Sequence, residues 1–131
     1  MDKAVNLFDK ALADYNAAKI IRSAVSSDEE ELNVIAYLLQ QSLELSAKYI
    51  MEMNGLEYPK SHDIETLHYF ASENGVDLFF TEYISDHQEM FSQWESKSRY
   101  IVGYLTELSR IDAAINALGE YFKIVSEKLT Q

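Results

Sequence analysis

The chain contains no cysteine, only one proline and only four glycines among its 131 residues. The lack of cysteine excludes disulfides and thiolate metal sites, and it weakly favours a reducing compartment. Few helix-breaking residues, together with 47% hydrophobic residues, are typical of a helical globular protein. We expect residues 1–131 to form one domain, with a core large enough to need no disulfide or metal.

Long apolar runs are also missing. The longest extends from Val34 to Leu39, which is far too short to span a bilayer. The N-terminal stretch MDKAVNLFDKALADYN is charged and interrupted, so it lacks the pattern of a signal peptide. With the absence of cysteine, these features lead us to expect a soluble cytoplasmic protein that does not bind membranes.

Positive charge is scarce, because 11 Lys and Arg residues face 22 Asp and Glu residues, a net charge of −11. Such a field repels phosphate backbones and argues against non-specific nucleic-acid binding through the general surface. It does not exclude a local basic pocket. We therefore expect no nucleic acid among the partners of this protein.

Motifs that carry catalysis or metal binding are absent as well. The sequence has no Gly-rich phosphate loop, nucleophile elbow or Cys/His ligand set. Glu65-x-x-His68 puts a carboxylate and an imidazole on one helix face, but di-iron bundles need two such pairs plus two more carboxylates. We expect no metal and no cofactor, and a partly buried, hydrogen-bonded His68. Asp86, His87 and Glu89 point in different directions on a helix and are expected on a solvated face.

Apolar spacing with a period near 3.6 runs through almost the whole chain. It predicts an all-α, up-and-down bundle of four long helices with one additional short helix, from about Ile64 to Glu73. The fourth helix is predicted to begin near Leu78, and the last to extend from Ile111 to Leu129. The core stripe predicted for the second helix consists of Leu32, Ile35, Leu39, Leu43 and Ile50.

Turn and cap residues predict where these helices begin and end. Asn54-Gly55 and Asn74-Gly75 are expected to stop the second and the short helix. N-terminal caps are polar side chains that accept from the first free N–H groups of a helix. Ser27 with Glu30 is predicted to cap the second helix. Ser61 or Asp63 is predicted to cap the short helix, and Ser109 with Asp112 the last helix.

A polar stripe lies on the second helix. Gln41, Glu44 and Lys48 are three and four residues apart and share a face, and Glu44 before Lys48 is the favourable order for an ion pair. As helix chemistry alone this is an ordinary surface pair worth a few tenths of a kcal/mol. Farther along, the guanidinium of Arg99 could bind a phosphate or pair with a carboxylate of a neighbouring helix, and the residues alone favour pairing.

Taken together, residues 40–67 resemble the HEPN family (higher eukaryotes and prokaryotes nucleotide-binding domain). The second-helix pattern of that family is a Gln-Gln pair followed by Glu, Lys, Gly and a His-Asp-apolar step, with an Arg-Tyr late in the fourth helix. The matching residues are Gln40-Gln41, Glu44, Lys48, Gly55, His62-Asp63-Ile64, Leu67, Arg99-Tyr100 and the amphipathic segment from Ile111 to Leu129.

The resemblance implies a helical bundle that dimerises. It further implies a module that binds a nucleotide or other small anionic ligand, or that serves as substrate-binding partner of a separate nucleotidyltransferase. Lys48 and Arg99 become candidates to hold the anion, with Glu44 orienting them. The full predicted ligand-binding set is Gln41, Glu44, Lys48, His62, Arg99, Tyr100 and Tyr104. The alternative is a structural polar network that fixes helix register.

The sequence departs from the family at one important place. Many HEPN proteins are ribonucleases with Arg, four to six residues, then His, but no His follows Arg99 here. Tyr104 takes the five-residue offset and is a poor general base at neutral pH. We therefore expect no catalytic residues. Two alternatives stay open: a divergent endoribonuclease toxin of a toxin–antitoxin pair, using Arg99 with Tyr104 or His62, and a purely structural dimerisation bundle.

Overall fold

The structure, a computed structural model, describes residues 6–27, 30–98 and 106–130. Over these ranges the chain forms helices and no strand, because its apolar residues recur at helical spacing. The predicted all-α class is confirmed. The helices are α1 (Leu7–Ser23), α2 (Glu31–Met53), α3 (Ile64–Glu73), α4 (Glu82–Asp86), α5 (Gln88–Lys97) and α6 (Leu108–Leu129).

Helix α2 lies at the centre and packs against α1, α3, α5 and α6. All five residues of its predicted core stripe are buried. Helix α1 runs antiparallel to α2, since Phe8 near its start stacks on Tyr49 near the end of α2, with ring centroids 6.0 Å apart. It also runs antiparallel to α6, because Phe8 and Arg22 contact Phe122 and Asp112 respectively. Three long helices thus enclose one core in alternating directions.

Local signals set several helix ends as predicted. Helix α3 has the predicted bounds, and the Asp63 carboxylate caps it by accepting from the Thr66 N–H at 3.1 Å. Gly55 and Gly75, which follow α2 and α3, both have φ of +72°, a conformation that glycine adopts without steric cost. These ends depend on residues only a few positions apart, which is why the sequence predicts them.

Other predicted helix starts are wrong. The N-cap of α2 is Glu30 and not the predicted Ser27, and Glu30 makes no side-chain capping hydrogen bond. Helix α6 begins at Leu108, before Ser109, with no side-chain cap. The Asp112 carboxylate that was expected to cap α6 binds Arg22 of α1 instead.

The fourth helix does not begin near Leu78. The Asp77 carboxylate accepts from the Phe79 N–H at 2.7 Å, and Phe79 has a positive φ of 61°, which is incompatible with an α-helix. Thr81 then caps the short helix α4, and His87, with φ of −118°, separates α4 from α5. One predicted long helix is therefore a turn followed by two helices over the described residues.

The surroundings of Gly119 lead to a testable prediction about α6. A Cβ atom added there would lie 2.7 Å from the hydroxyl oxygen of Tyr15, which donates to the Ile115 carbonyl at 2.7 Å. Gly119→Ala would otherwise stabilise a helix by about 1 kcal/mol, but it displaces this hydroxyl and costs a hydrogen bond worth about 1 kcal/mol plus strain. We expect lower stability in denaturant titration.

The matched background is Tyr15→Phe. It removes the hydroxyl, and the remaining ring carbon would be 3.7 Å from the new Cβ, an ordinary contact. In this background Gly119→Ala should stabilise the protein by about 1 kcal/mol. The same sign of effect in both backgrounds would contradict this account of Gly119.

Candidate functional site

Three polar side chains line up along one side of α2. Gln40, Glu44 and Lys48 recur every four residues, a spacing that places side chains one above another on a helix. They are buried, with exposed fractions of 0%, 5% and 8%. The loop after α2 returns along this column, since the His62 carbonyl accepts from Gln40 Nε2 at 2.9 Å. The ammonium of Lys48 also lies 5.4 Å from the ring centroid of Tyr58 in that loop.

The Glu44 carboxylate is the centre of this arrangement. Its Oε1 accepts from Gln40 Nε2 at 3.0 Å. Its Oε2 accepts from Lys48 Nζ and lies the same 3.0 Å from Nδ1 of His62. We call Gln40, Glu44, Lys48 and His62 the Glu44 cluster. Its ion pair has side chains only 11% and 6% exposed, so it is not the ordinary surface pair that helix chemistry alone indicates. The side chain of His62, which is 67% exposed, forms the solvent edge.

Gln40 has an orientation set by its partners. Its amide nitrogen donates to a carboxylate and to a carbonyl, which can only accept, so the amide oxygen must occupy the other position. That oxygen is buried and has no hydrogen-bond partner in the described part of the chain. A buried amide oxygen of this kind is an acceptor available to a further donor.

Gln41, which the sequence groups with Glu44, points elsewhere. Its Nε2 donates to Asp14 Oδ2 on α1 at 2.8 Å. Neighbouring helix positions differ by about 100° in direction, so Gln40 faces the loop while Gln41 faces α1. Gln41 therefore contacts α1 and not the Glu44 cluster, in which Gln40 takes the position that the sequence suggested for Gln41. A role of Gln41 in ligand binding stays a prediction.

Three predicted site residues, Arg99, Tyr100 and Tyr104, lie outside the described residues. The expectation that Arg99 and Lys48 face the same side of the bundle therefore stays a prediction.

The remaining polar candidates have structural partners. Nδ1 of His68 accepts from Gln88 Nε2 at 2.9 Å, and the side chain is half-buried, as predicted. Asp86 and Glu89 are exposed, also as predicted, but His87 is half-buried and stacks on Tyr83. Among the described residues no group of three or more His, Asp or Glu side chains could hold a metal ion. Within the same ranges, no helix is long and apolar enough to cross a membrane.

One ion pair has no signature in the sequence. Nε and Nη2 of Arg22 donate to the two oxygens of Asp112 at 2.6 and 3.0 Å, which joins the end of α1 to the start of α6. The hydrogen bond from Arg22 lowers the pKa of the Asp112 carboxyl. The two residues are 90 positions apart, and no local pattern links them.

The comparison with family models agrees with this architecture. The model of the HEPN domain matches residues 4–128, a span that includes α1 to α5, all of α6 except its last residue, and the whole Glu44 cluster. No curated protein and no solved structure matches the chain significantly. Since the family match covers nearly the whole sequence, the chain belongs to the HEPN domain family.

Proposed function

We propose that this protein is a non-catalytic HEPN module that binds a nucleotide or another small anionic ligand at the edge formed by Lys48 and His62. The observation that supports this function is the convergence of both side chains on one oxygen of the buried Glu44. An ammonium carries three N–H groups, and Glu44 accepts one of them. Glu44 thus holds two nitrogen groups next to each other beside the loop.

Charge and hydrogen-bond capacity decide what can bind there. Glu44 and Lys48 neutralise each other. An anion at this edge would therefore bind through the remaining N–H groups of the Lys48 ammonium and through the exposed imidazole of His62. Arg99 would add a positive charge if it lies nearby.

The histidines support a role without catalysis. The chain has three, and all precede Arg99, so the Arg-to-His spacing of the ribonucleases cannot form. Each imidazole uses one nitrogen in a contact that holds the fold: Nδ1 of His62 contacts Glu44, Nδ1 of His68 accepts from Gln88, and Nδ1 of His87 bonds the Tyr83 carbonyl. We infer that the protein presents a ligand, as a substrate-binding partner of a separate nucleotidyltransferase does.

Thermal denaturation with ligands tests the proposed function. A nucleotide at 100 times its dissociation constant should add about 2.7 kcal/mol of stability, which for a domain of this size is a rise of about 10 °C in the melting temperature. Lys48→Gln and His62→Gln should each reduce this rise, measured against the melting temperature of the same variant without ligand.

The control is Lys60→Gln, which removes an exposed positive charge from the same loop outside the Glu44 cluster. It should keep the full rise. An equal rise in all variants, or no rise with any nucleotide or with inorganic phosphate, would contradict the proposed site. RNA cleavage by the purified protein that is lost in Arg99→Ala would support the ribonuclease alternative instead.

We also propose that the protein forms a homodimer. Nine of its residues are Tyr, a residue type suited to half-wet contacts, and Ile20, Val34 and Met53 are more than half exposed. Sedimentation velocity at high micromolar concentration should show a dimer. A monomer under those conditions would contradict this proposal without affecting the ligand site.

A further inference from the structure

A groove lies between α6 and the α4–α5 region. It has a volume of about 320 Å³ and is lined by Tyr83, His87, Met90, Ser109, Arg110 and Ala113. We call it the α6 groove. It shares no residue with the Glu44 cluster, and neither the family match nor the proposed function assigns it a role.

One wall of the α6 groove contains a stacked pair of aromatic rings. The rings of Tyr83 and His87 stack with centroids 4.0 Å apart and planes 18° apart. Nδ1 of His87 lies 2.7 Å from the Tyr83 carbonyl oxygen. A carbonyl can only accept, so Nδ1 carries the proton and the imidazole is held in one orientation. The wall is therefore ordered before any ligand arrives, which lowers the entropic cost of binding.

The opposite side carries a positive charge. The side chain of Arg110 is 61% exposed, and its Nε is 4.0 Å from an oxygen of Glu107, itself 65% exposed. An exposed pair at this distance is weak. By contrast, Arg22 donates two short hydrogen bonds to Asp112. Burial raises the pKa of Tyr83, and the charge of Arg110 acts in the opposite direction, as expected for a guanidinium near that ring.

We propose that the α6 groove binds a small planar aromatic anion, an aryl phosphate or an aryl carboxylate. The ring of the ligand packs against the stacked pair of Tyr83 and His87, beside the side chain of Met90. The anionic group binds the guanidinium of Arg110, which presents a planar fork of donors suited to phosphate and carboxylate oxygens, and accepts from the Ser109 hydroxyl.

The volume of the groove agrees with this ligand class. A cavity of about 150 Å³ accommodates benzene, so a groove of 320 Å³ holds one ring and leaves a similar volume for the anionic group. The ligand also displaces the weak contact between Arg110 and Glu107 and gains a shorter one. An anion without a ring would not contact the aromatic rings of Tyr83 and His87. A ring without an anionic group would not bind the guanidinium of Arg110.

Titration followed by amide NMR tests the proposal with four probes: phenyl phosphate, benzoate, inorganic phosphate and benzyl alcohol. Phenyl phosphate and benzoate should saturate the protein and shift the signals of residues 83–90 and 109–113. Inorganic phosphate and benzyl alcohol should each bind about tenfold more weakly, the loss expected for one charge-assisted contact or one stacked ring.

Variants locate the site. Arg110→Gln and Tyr83→Leu should each lower the affinity for phenyl phosphate about tenfold. The control Lys123→Gln, an exposed cation on the same helix, should leave the affinity unchanged. Lys48→Gln should also leave it unchanged, which separates this proposal from the Lys48 and His62 site. Equal affinities of Arg110→Gln and Lys123→Gln, or of inorganic phosphate and phenyl phosphate, would overturn the assignment.

Discussion

Replacement of Lys48 by Met is expected to lower the free energy of unfolding by about 2–3 kcal/mol. The Glu44 side chain is only 6% exposed, so the variant leaves a buried carboxylate without its cationic partner. The loss of stability should be near the lower end of the range that is typical of a broken buried ion pair, because Gln40 and His62 still contact the carboxylate. The melting temperature should fall by about 10 °C, measured by circular dichroism.

The matched control is Arg22→Met, which also removes one positive charge from an ion pair. Its partner Asp112 is 46% exposed and can be hydrated by water, so a smaller loss is expected. A second test is the double variant Glu44→Leu with Lys48→Met, which removes both charges and should recover at least half of the loss. Equal losses in Lys48→Met and Arg22→Met would show that the Glu44 pair behaves as a surface pair.

Truncation of Trp94 to Ala is expected to cost about 4 kcal/mol, a large part of the stability of a small domain. Trp94 is 1% exposed and packs edge-on against Phe91, with ring centroids 5.4 Å apart. Helix α5, which carries both rings, packs against α2 and α3, so the cavity would open inside the core. Denaturant unfolding should be followed by far-UV circular dichroism, because the variant removes the single Trp.

Tyr69→Ala is the control for this truncation. Tyr69 is 69% exposed on α3, so its loss should change stability by no more than about 0.5 kcal/mol. Trp94→Phe keeps an aromatic ring and should fall between the two. A loss below about 1 kcal/mol in Trp94→Ala would contradict a packed contact between α5 and α2.

The two predictions concern different parts of the domain. Lys48 is within the Glu44 cluster, where a polar contact joins α2 to the loop that follows it. Trp94 is in the apolar contact that holds α5. Helix α5 ends at Lys97, and Arg99 follows two residues later in the sequence. If Arg99 takes part in ligand binding, Trp94→Ala should lower the affinity for a nucleotide by more than the loss of folded protein alone explains.

The sequence by itself determined the features that depend on near neighbours. The helical period of the apolar residues gives the all-α class, because a helix must bury one face whatever it packs against. The bounds of α3 and the stops at Gly55 and Gly75 follow from an Asp cap and from glycines with positive φ. The ion pair between Glu44 and Lys48 also follows, since a spacing of four residues joins them on any helix.

Only the tertiary structure decided which side of each helix is covered, and by what. Gln40 and Gln41 both fit the spacing to Glu44, and the return of the loop over Gln40 selects it. Asp112 has the position of a capping residue, but the approach of Arg22 from α1 gives it a stronger partner. The pair of Glu44 and Lys48 is buried because other segments of the chain cover that side of α2. These outcomes depend on contacts between distant segments, which are set by the packing of the whole bundle and leave no local pattern in the sequence.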